Sequence, residues 1–381
     1  MGHPQTPNPR LLHPLMGGNL RMLLAVLSRN GTGRYPLHLA LILTVALLRW
    51  PFSTYERWRV IQAPLPPEDQ APPVFIVGHW RSGTTFLYNV LSRAPQFAYV
   101  SPLATGLPWD FLTLGTLLRP ILERALPEER FIDQVSVNPD SPQEDEIALA
   151  SMQPISFYHG LYFPKHFVKN FNAGIFFEHC SQEDIEHWEW AMVHFCKKLQ
   201  LQNPGQQLLI KNPVYTARVQ QLRNLWPHAK FIHIYRNPYV VFQSTLNFYA
   251  KLFQELALQP FNQDLIPDIV LESYPKMMER LFRDTAKLPA QDFVELQFEA
   301  FEADPLGHLH RIYTQLELQG WEQAQPHFQQ YLQAQRQYRK NRYAFPQDAI
   351  AQVQNHWQPF IDRWGYQPPQ VEKSIPPAGD R

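Results

Sequence analysis

Apolar residues are distributed along this chain in two alternating rhythms. Val74-Phe-Ile-Val77 is a continuous apolar run, mostly β-branched or aromatic, which predicts a strand buried on both faces. Phe86, Leu87, Val90 and Leu91 then recur at helical spacing. The pattern repeats further on. Leu208-Leu-Ile210 reads as a short buried strand, and a helix carrying Val219, Leu222, Leu225 and Trp226 comes next, ended by Pro227. Phe231-Ile-His-Ile-Tyr235 is the next buried strand, and Pro238 starts another helix whose first turns present Gln243, Ser244 and Asn247. Strand, helix, strand, helix predicts a parallel sheet, and ligands of such sheets bind beyond the carboxyl ends of the strands. Phe293-Val-Glu-Leu-Gln297 alternates as a further strand. Helices start from Pro305 and Trp321, and Trp357, Phe360, Ile361 and Trp364 mark a last amphipathic helix.

Other stretches carry weaker patterns. Met1 to Tyr35 is rich in Pro, Gly and Asn and is expected to be poorly ordered. Leu37 to Trp50 is nearly all apolar between Arg34 and Arg49, yet short of the about 20 residues that cross a bilayer comfortably. It lies far along the chain for a signal sequence, and no small-residue cleavage site comes after it. Three readings stay open: a core or docking helix, a helix lying in a membrane interface, and a short tilted span. The Pro-rich stretch 62–73 reads as an extended linker and places a domain boundary before Val74. The expected division is thus 1–73 an N-terminal extension, 74–366 the main domain and 367–381 a flexible tail. Pro95, Pro102, Pro108, Pro120 and Pro127 break the next region into short helices and turns. Tyr99, Trp109, Phe111 and Leu114 there floor an acceptor pocket or belong to the core. Ser141 and Pro142 read as the N-cap and first position of a helix, with Glu144 at the capping-box position. Phe157 to Phe177, dense in aromatics, reads as a loop-rich substrate region, and a helix is expected from about Ser181 to Leu199.

Composition narrows the function. The 381 residues are 45% hydrophobic with a formal net charge of zero, which allows a large core and excludes a global field recruiting nucleic acid. Any anion site must be local. Cys180 and Cys196 are the only cysteines and lack metal-ligand spacing, so neither a disulfide framework nor a zinc site is expected.

The local anion site is the turn after Val77. Gly78, four residues, then Gly83 has the spacing of a phosphate-binding loop, and Ser82, Thr84 and Thr85 add hydroxyls. A strand turning through glycines into a helix aims backbone N–H groups, and the positive end of the helix dipole, at one point. Thr84 stands where a nucleotide triphosphatase has its lysine, and Arg81 is the only cation in the turn. The loop is therefore expected to hold a phosphate, but not the β- and γ-phosphates of ATP with Mg²⁺. Lys211 and Arg236, at the ends of the later strands, converge on the same sheet edge.

These two blocks resemble the 3′-phosphoadenosine 5′-phosphosulfate (PAPS)-dependent sulfotransferase family, its bacterial and carbohydrate branches in particular. In that family a Lys/Arg-Ser/Thr-Gly-Thr-Thr loop binds the 5′-phosphosulfate, here Arg81-Ser82-Gly83-Thr84-Thr85. A strand-end Arg and a Ser eight positions later bind the 3′-phosphate, here Arg236 and Ser244. Lys211-Asn-Pro213 fits the same branches. The resemblance spans about Val74 to Tyr366 and implies an α/β, P-loop-like three-layer domain with a central parallel sheet. It also implies a basic loop late in the chain over the 3′-phosphate, here Arg339, Lys340 or Arg342. The catalytic His of many members has no matching motif. The base is left open between Glu144, Asp145 and Glu146, and His159 or His166; a plain dipole-complementing helix start also explains the acids.

The expected activity is sulfuryl transfer from PAPS to a hydroxyl, less readily an amine, of a small-molecule, lipid or carbohydrate acceptor. Arg81 and the N–H groups of residues 83–85 would stabilise the leaving oxygen, and Glu144 or Glu146 would take the acceptor proton, with no metal. Two other readings remain: a P-loop kinase-like phosphotransferase, and an inactive, membrane-associated nucleotide-binding protein. The expected setting is the cytoplasm, with membrane contact through 37–50 left open.

Overall fold

The computed structural model describes residues 5–7, 9, 12–64, 71–125, 141–335 and 345–370. Five parallel strands form the central sheet in the order β2-β3-β1-β4-β5. They are β1 (Val74–Val77), β2 (Phe97–Ala98), β3 (Gln207–Lys211), β4 (Lys230–Tyr235) and β5 (Phe293–Gln297). Strand β1 is central, with Val74 opposite Leu209 on one side and Lys230 on the other. Its burial on both faces explains the unbroken apolar run.

The side-chain period of two divides the core between the two faces. Phe75, Val77, Leu208, Ile210 and Phe231 point into one layer with helices Pro238–Leu256, Leu265–Thr285 and Gln347–Trp364. Val74, Ile76, Leu209, Ile232 and Ile234 point into the other with Thr84–Leu91, Pro305–Gln315 and Trp321–Ala334. This is the expected three-layer α/β arrangement.

Four expectations are corrected. The region before Tyr35 is not without structure: Pro14–Gly17 is a 3₁₀ turn and Leu20–Asn30 a helix, with Leu15, Met22, Leu23 and Val26 buried in the main core. The Asn19 side chain caps that helix, accepting from the Met22 N–H at 2.9 Å. The apolar stretch 37–50 is part of a longer helix, Pro36–Gln62, so Gln62 is not linker; 65–70 lie outside the described residues. The helix assigned to start at Pro142 begins at Asp145 instead, with Glu144 in extended conformation as its N-terminal flanking residue. Bonds from β3 and the turn after it to the three acids fix that start. Finally, 157–177 is helical and enclosed, not loop-rich: Phe157–Tyr162 and Phe167–Phe176 pack together through Phe157, Phe167 and Phe171. Trp109 and Phe111 are likewise buried core. The helix expected near Ser181 is Gln182–Gln202, with a capping box between Ser181 and Asp184.

Candidate active site

The strand order creates the site. Strands β3 and β4 flank β1, so the turns after Val77, Lys211 and Tyr235 meet at one edge of the sheet. Gly78 has φ +144°, its N–H donates to Thr216 Oγ1 at 2.8 Å, and a Cβ there would lie 2.4 Å from the Ile234 carbonyl oxygen. Only glycine lets the chain turn so close against β4. Gly83, at φ +100°, caps helix Thr84–Leu91, and a Cβ would strike the Phe298 ring. The first N–H groups of that helix have no partner within the helix and face the turn. Ser82 Oγ is buried with no hydrogen-bond partner. An enclosed hydroxyl and a cradle that a side chain would fill both fit an anionic group such as a phosphosulfate.

Arg81 adopts φ +68°, a left-handed conformation that costs a non-glycine residue about 1–2 kcal/mol. Its Nε donates to Ser244 Oγ at 2.8 Å, across 163 residues of sequence. Ser244 is buried in the first turns of helix Pro238–Leu256, which Asn237 caps. Arg236 Nη1 reaches the Arg81 carbonyl oxygen at 3.5 Å, and its guanidinium lies 4.5 Å from the Phe298 ring centre. The two sequence motifs are thus one cationic site.

Lys211, buried at the end of β3, joins that site to the acids. Its Nζ lies 3.4 Å from Thr85 Oγ1 and donates to Glu144 Oε1 at 2.5 Å. The neighbouring acids are enclosed. Asp145 accepts from Asn212 Nδ2 at 2.9 Å and from the Tyr215 hydroxyl. Glu146 accepts from Ser156 Oγ at 2.7 Å and from Asn212 Nδ2 at 3.2 Å. Burial, reinforced by their mutual repulsion, pushes Asp145 up to about 8; burial pushes Glu146 up to about 7 against the pull of Arg218.

The remaining candidates separate clearly. His159 is buried with Nδ1 beside the Pro154 carbonyl and Nε2 beside the Ala150 carbonyl, and burial lowers it to about 4, so the neutral ring donates to one carbonyl at a time. Enclosed between two backbone carbonyls, the ring serves the fold. His166 is exposed in a 3₁₀ turn, Pro164–His166. Arg339, Lys340 and Arg342 lie outside the described residues. Sequence reasoning placed Asn212 in the Lys211-Asn-Pro213 motif without giving it a role, and did not single out Tyr215, Thr216 or Phe298. The only signal was the adjacency of Asn212 to Lys211 and of Phe298 to the end of β5.

A sequence model of the Sulfotransferase family matches residues 72–323. The chain is 31% identical over 295 residues to the omega-hydroxy-beta-dihydromenaquinone-9 sulfotransferases Stf3 of Mycobacterium tuberculosis and Mycobacterium bovis, covering 77% of this chain and 75% of theirs. The structure is similar in fold to sulfotransferase STF9 of Mycobacterium avium, with TM-score 0.66 and 15% identity over 96% of this chain and 94% of that one. It is also similar to sulfotransferase STF1 of Mycobacterium tuberculosis H37Rv, with TM-score 0.57 and 15% identity over 81% of this chain and 85% of that one. A glycine turn without the nucleotide-triphosphatase lysine and the family match agree, and the chain belongs to the sulfotransferase family as a PAPS-dependent enzyme.

Proposed function

We propose that this enzyme transfers the sulfuryl group of PAPS to the hydroxyl of an apolar, lipid-like acceptor, with Glu144 as general base. The observation that carries the reading is the 2.8 Å hydrogen bond from Arg81 to Ser244, which makes one binding site of the phosphosulfate loop and the 3′-phosphate motif. The acceptor class rests on the relative, named for a hydroxylated menaquinone.

In the reaction, the acceptor oxygen forms a bond to sulfur as the bond from sulfur to the bridging oxygen breaks, and 3′,5′-adenosine bisphosphate leaves. Charge grows on that bridging oxygen in a loose, in-line transition state. Arg81, Ser82 and the N–H groups of Gly83, Thr84 and Thr85 supply fixed donors there, and removing one such donor costs on the order of 10²–10³ in rate. Arg236 and Ser244 hold the 3′-phosphate, which ATP lacks. Lys211, between Thr85 and Glu144, adds positive charge at the transferring group and orients the base.

Glu144 is favoured over Glu146 because its side chain keeps 14% exposure and faces the loop through Lys211, whereas Glu146 is enclosed and engaged by Ser156 and Asn212. The acceptor proton passes to the Glu144 carboxylate.

The test is calorimetric binding of 3′,5′-adenosine bisphosphate against ATP with and without Mg²⁺, then transfer from PAPS to long-chain alcohols. Micromolar, metal-independent binding of the bisphosphate and turnover with an apolar alcohol are expected. Tighter binding of ATP with Mg²⁺ would overturn the donor assignment. Bisphosphate binding with turnover only on sugars would overturn the acceptor class.

A further inference from the structure

Among the described residues, one helix, Pro36–Gln62, is long and apolar enough to cross a membrane, and most of its apolar stretch is not buried in the protein. Its placement argues for a different use. Ile42, Ala46, Arg49, Ser53, Glu56 and Val60 are buried. At about 100° per residue they fall within an arc of about 80°, a single seam against the protein. The seam is pinned by charge. Arg49 Nε donates to Asp110 Oδ2 at 2.9 Å, and Lys198 Nζ pairs with Glu56 at 2.7 Å. Glu56 also accepts from the Thr113 N–H at 2.8 Å and hydroxyl at 2.6 Å. Passing this helix through a bilayer would strip two enclosed ion pairs of their partners, at a prohibitive cost.

The opposite arc is exposed and apolar. Leu37 is 83% exposed, Leu48 70% and Trp58 59%, with Leu47, Pro51 and Tyr55 on the same side. Trp50, Pro51, Tyr55 and Trp58 line a shallow apolar depression. The face continues onto helix Gln182–Gln202, where Trp190, Val193 and Leu201 are exposed at helical spacing. Lys197, on the same side, donates to the Ala63 carbonyl at 2.6 Å and so ties the two helices together.

Charge identifies what covers this face. Arg57 and Arg59 are exposed and project on either side of the apolar arc, Arg57 lying 5.1 Å from the Trp190 ring. No acid other than Glu56 precedes Glu68, and Glu56 is buried. On helix Gln182–Gln202 the exposed Glu186 lies one turn before Trp190, whereas the exposed arc of helix Pro36–Gln62 carries aromatic and aliphatic side chains, flanking cations and no acid. That is the composition of a helix lying in the headgroup region of an anionic membrane, with arginines reaching lipid phosphates and Trp and Tyr at the interface.

We propose that this face of helix Pro36–Gln62 docks the enzyme on the surface of an anionic lipid bilayer, lying in the interface without spanning it. The inference does not depend on the acceptor class proposed for the reaction. The test is flotation of the full chain with vesicles of phosphatidylcholine alone or with phosphatidylglycerol. Two variants, Leu48→Glu/Trp58→Glu and Arg57→Glu/Arg59→Glu, change only exposed positions outside the anion site. Bisphosphate binding and thermal unfolding report that each variant is folded.

Wild type is expected to float with the anionic vesicles and to be released by alkaline carbonate. Each surface cation is expected to raise partitioning on the order of fivefold, so the arginine double variant should lose at least tenfold. The Leu48→Glu/Trp58→Glu variant should remain in solution. Absence of flotation by wild type, or unchanged flotation of folded Leu48→Glu/Trp58→Glu, overturns the proposal. Resistance to carbonate would make the helix a span, and a solution dimer dissociated by Leu48→Glu/Trp58→Glu without vesicle binding would make a second copy the occupant; either result overturns it too.

Discussion

Replacing Arg236 tests the site without knowledge of the acceptor. Its guanidinium lies 4.5 Å from the Phe298 ring centre and reaches the Arg81 carbonyl oxygen at 3.5 Å, so stacking and the anion loop fix its plane. A fork held in this way suits a two-pronged bond to a phosphate. Each hydrogen bond to a charged group contributes about 1.5–3 kcal/mol. Taking about 3 kcal/mol for the pair after losses, Arg236→Ala should raise the Kd of 3′,5′-adenosine bisphosphate on the order of 10²-fold at 25 °C. Adenosine 5′-monophosphate lacks the 3′-phosphate, so its Kd should change less than about threefold if the two phosphate subsites are independent. Arg236→Lys keeps the charge but loses the fork and the stacking, and should fall between wild type and Arg236→Ala. Calorimetry at fixed ionic strength gives all values, with thermal unfolding as the control for folding. Equal losses for both nucleotides would show that Arg236 supports the site as a whole and does not read the 3′-phosphate, and an unchanged bisphosphate Kd would remove it from the site.

The other predictions concern the base, the loop and the buried acids. Glu144→Gln should lower the rate of sulfuryl transfer about 10²–10⁴-fold at saturating donor while bisphosphate affinity stays within about threefold; an unaltered rate would exclude Glu144 as the base. Gly83→Ala places a methyl 2.1 Å from the Phe298 ring at φ +100°, and should cost about 2–5 kcal/mol in urea unfolding; a variant as stable as wild type would contradict the loop geometry. Stability should peak near pH 6.5. Burial lowers His13, His79 and His159 to about 4 and His194 to about 3, so the unfolded chain binds more protons on these four groups up to their ordinary value of 6.5, and stability rises with pH there. Asp145 and Glu146, raised to about 8 and about 7, act in the opposite sense from their ordinary values upward, and above pH 6.5 they alone remain of these six groups, so stability falls until about pH 8. Urea unfolding across this range should show that fall, flattened in Asp145→Asn; a wild-type curve that climbs from pH 6.5 to 8 would refute it.

The strands and the anion loop were legible because their causes are local. An unbroken apolar run such as Val74–Val77 has few uses other than a doubly buried strand, and glycines spaced as Gly78 and Gly83 have few uses other than a tight turn. The convergence of Arg81, Lys211 and Arg236 came from the parallel connection. Where the reading failed, the cause was long-range. Ser141 and Pro142 make a sound helix start in isolation, but Asn212 and Tyr215 seize Asp145, and Lys211 draws Glu144 outward, so the helix begins three residues later. The fold before Tyr35 depends on contacts as distant: His13 bonds the Leu256 carbonyl, and Asn30 accepts from Asn170. A legible local signal was also present, Asn19 with Met22, Leu23 and Val26 at helical spacing after it, and the Pro- and Gly-rich composition around it masked it. Which acid faces the loop cannot be read from three consecutive carboxylates, because it is decided by burial.

That burial has a consequence for how the site is built. Asn212 comes directly after Lys211 at the end of β3 and binds both Asp145 and Glu146. Strand β3 therefore supplies the cation that touches the loop and, one residue later, the amide that anchors the acidic helix. The two enclosed acids, with affinities for protons raised to about 8 and about 7, hold protons over much of the neutral range. They can then be packed without the full cost of buried charge. Asp145 and Glu146 act as anchors, and Glu144, at the mouth of the same short helix, is left to meet Lys211 and the loop. The position of the proposed base is thus set by the sheet edge that sets the donor site. A three-acid run, excessive for a helix start, is what such an arrangement requires: two carboxyls to fix the backbone and one to face the chemistry.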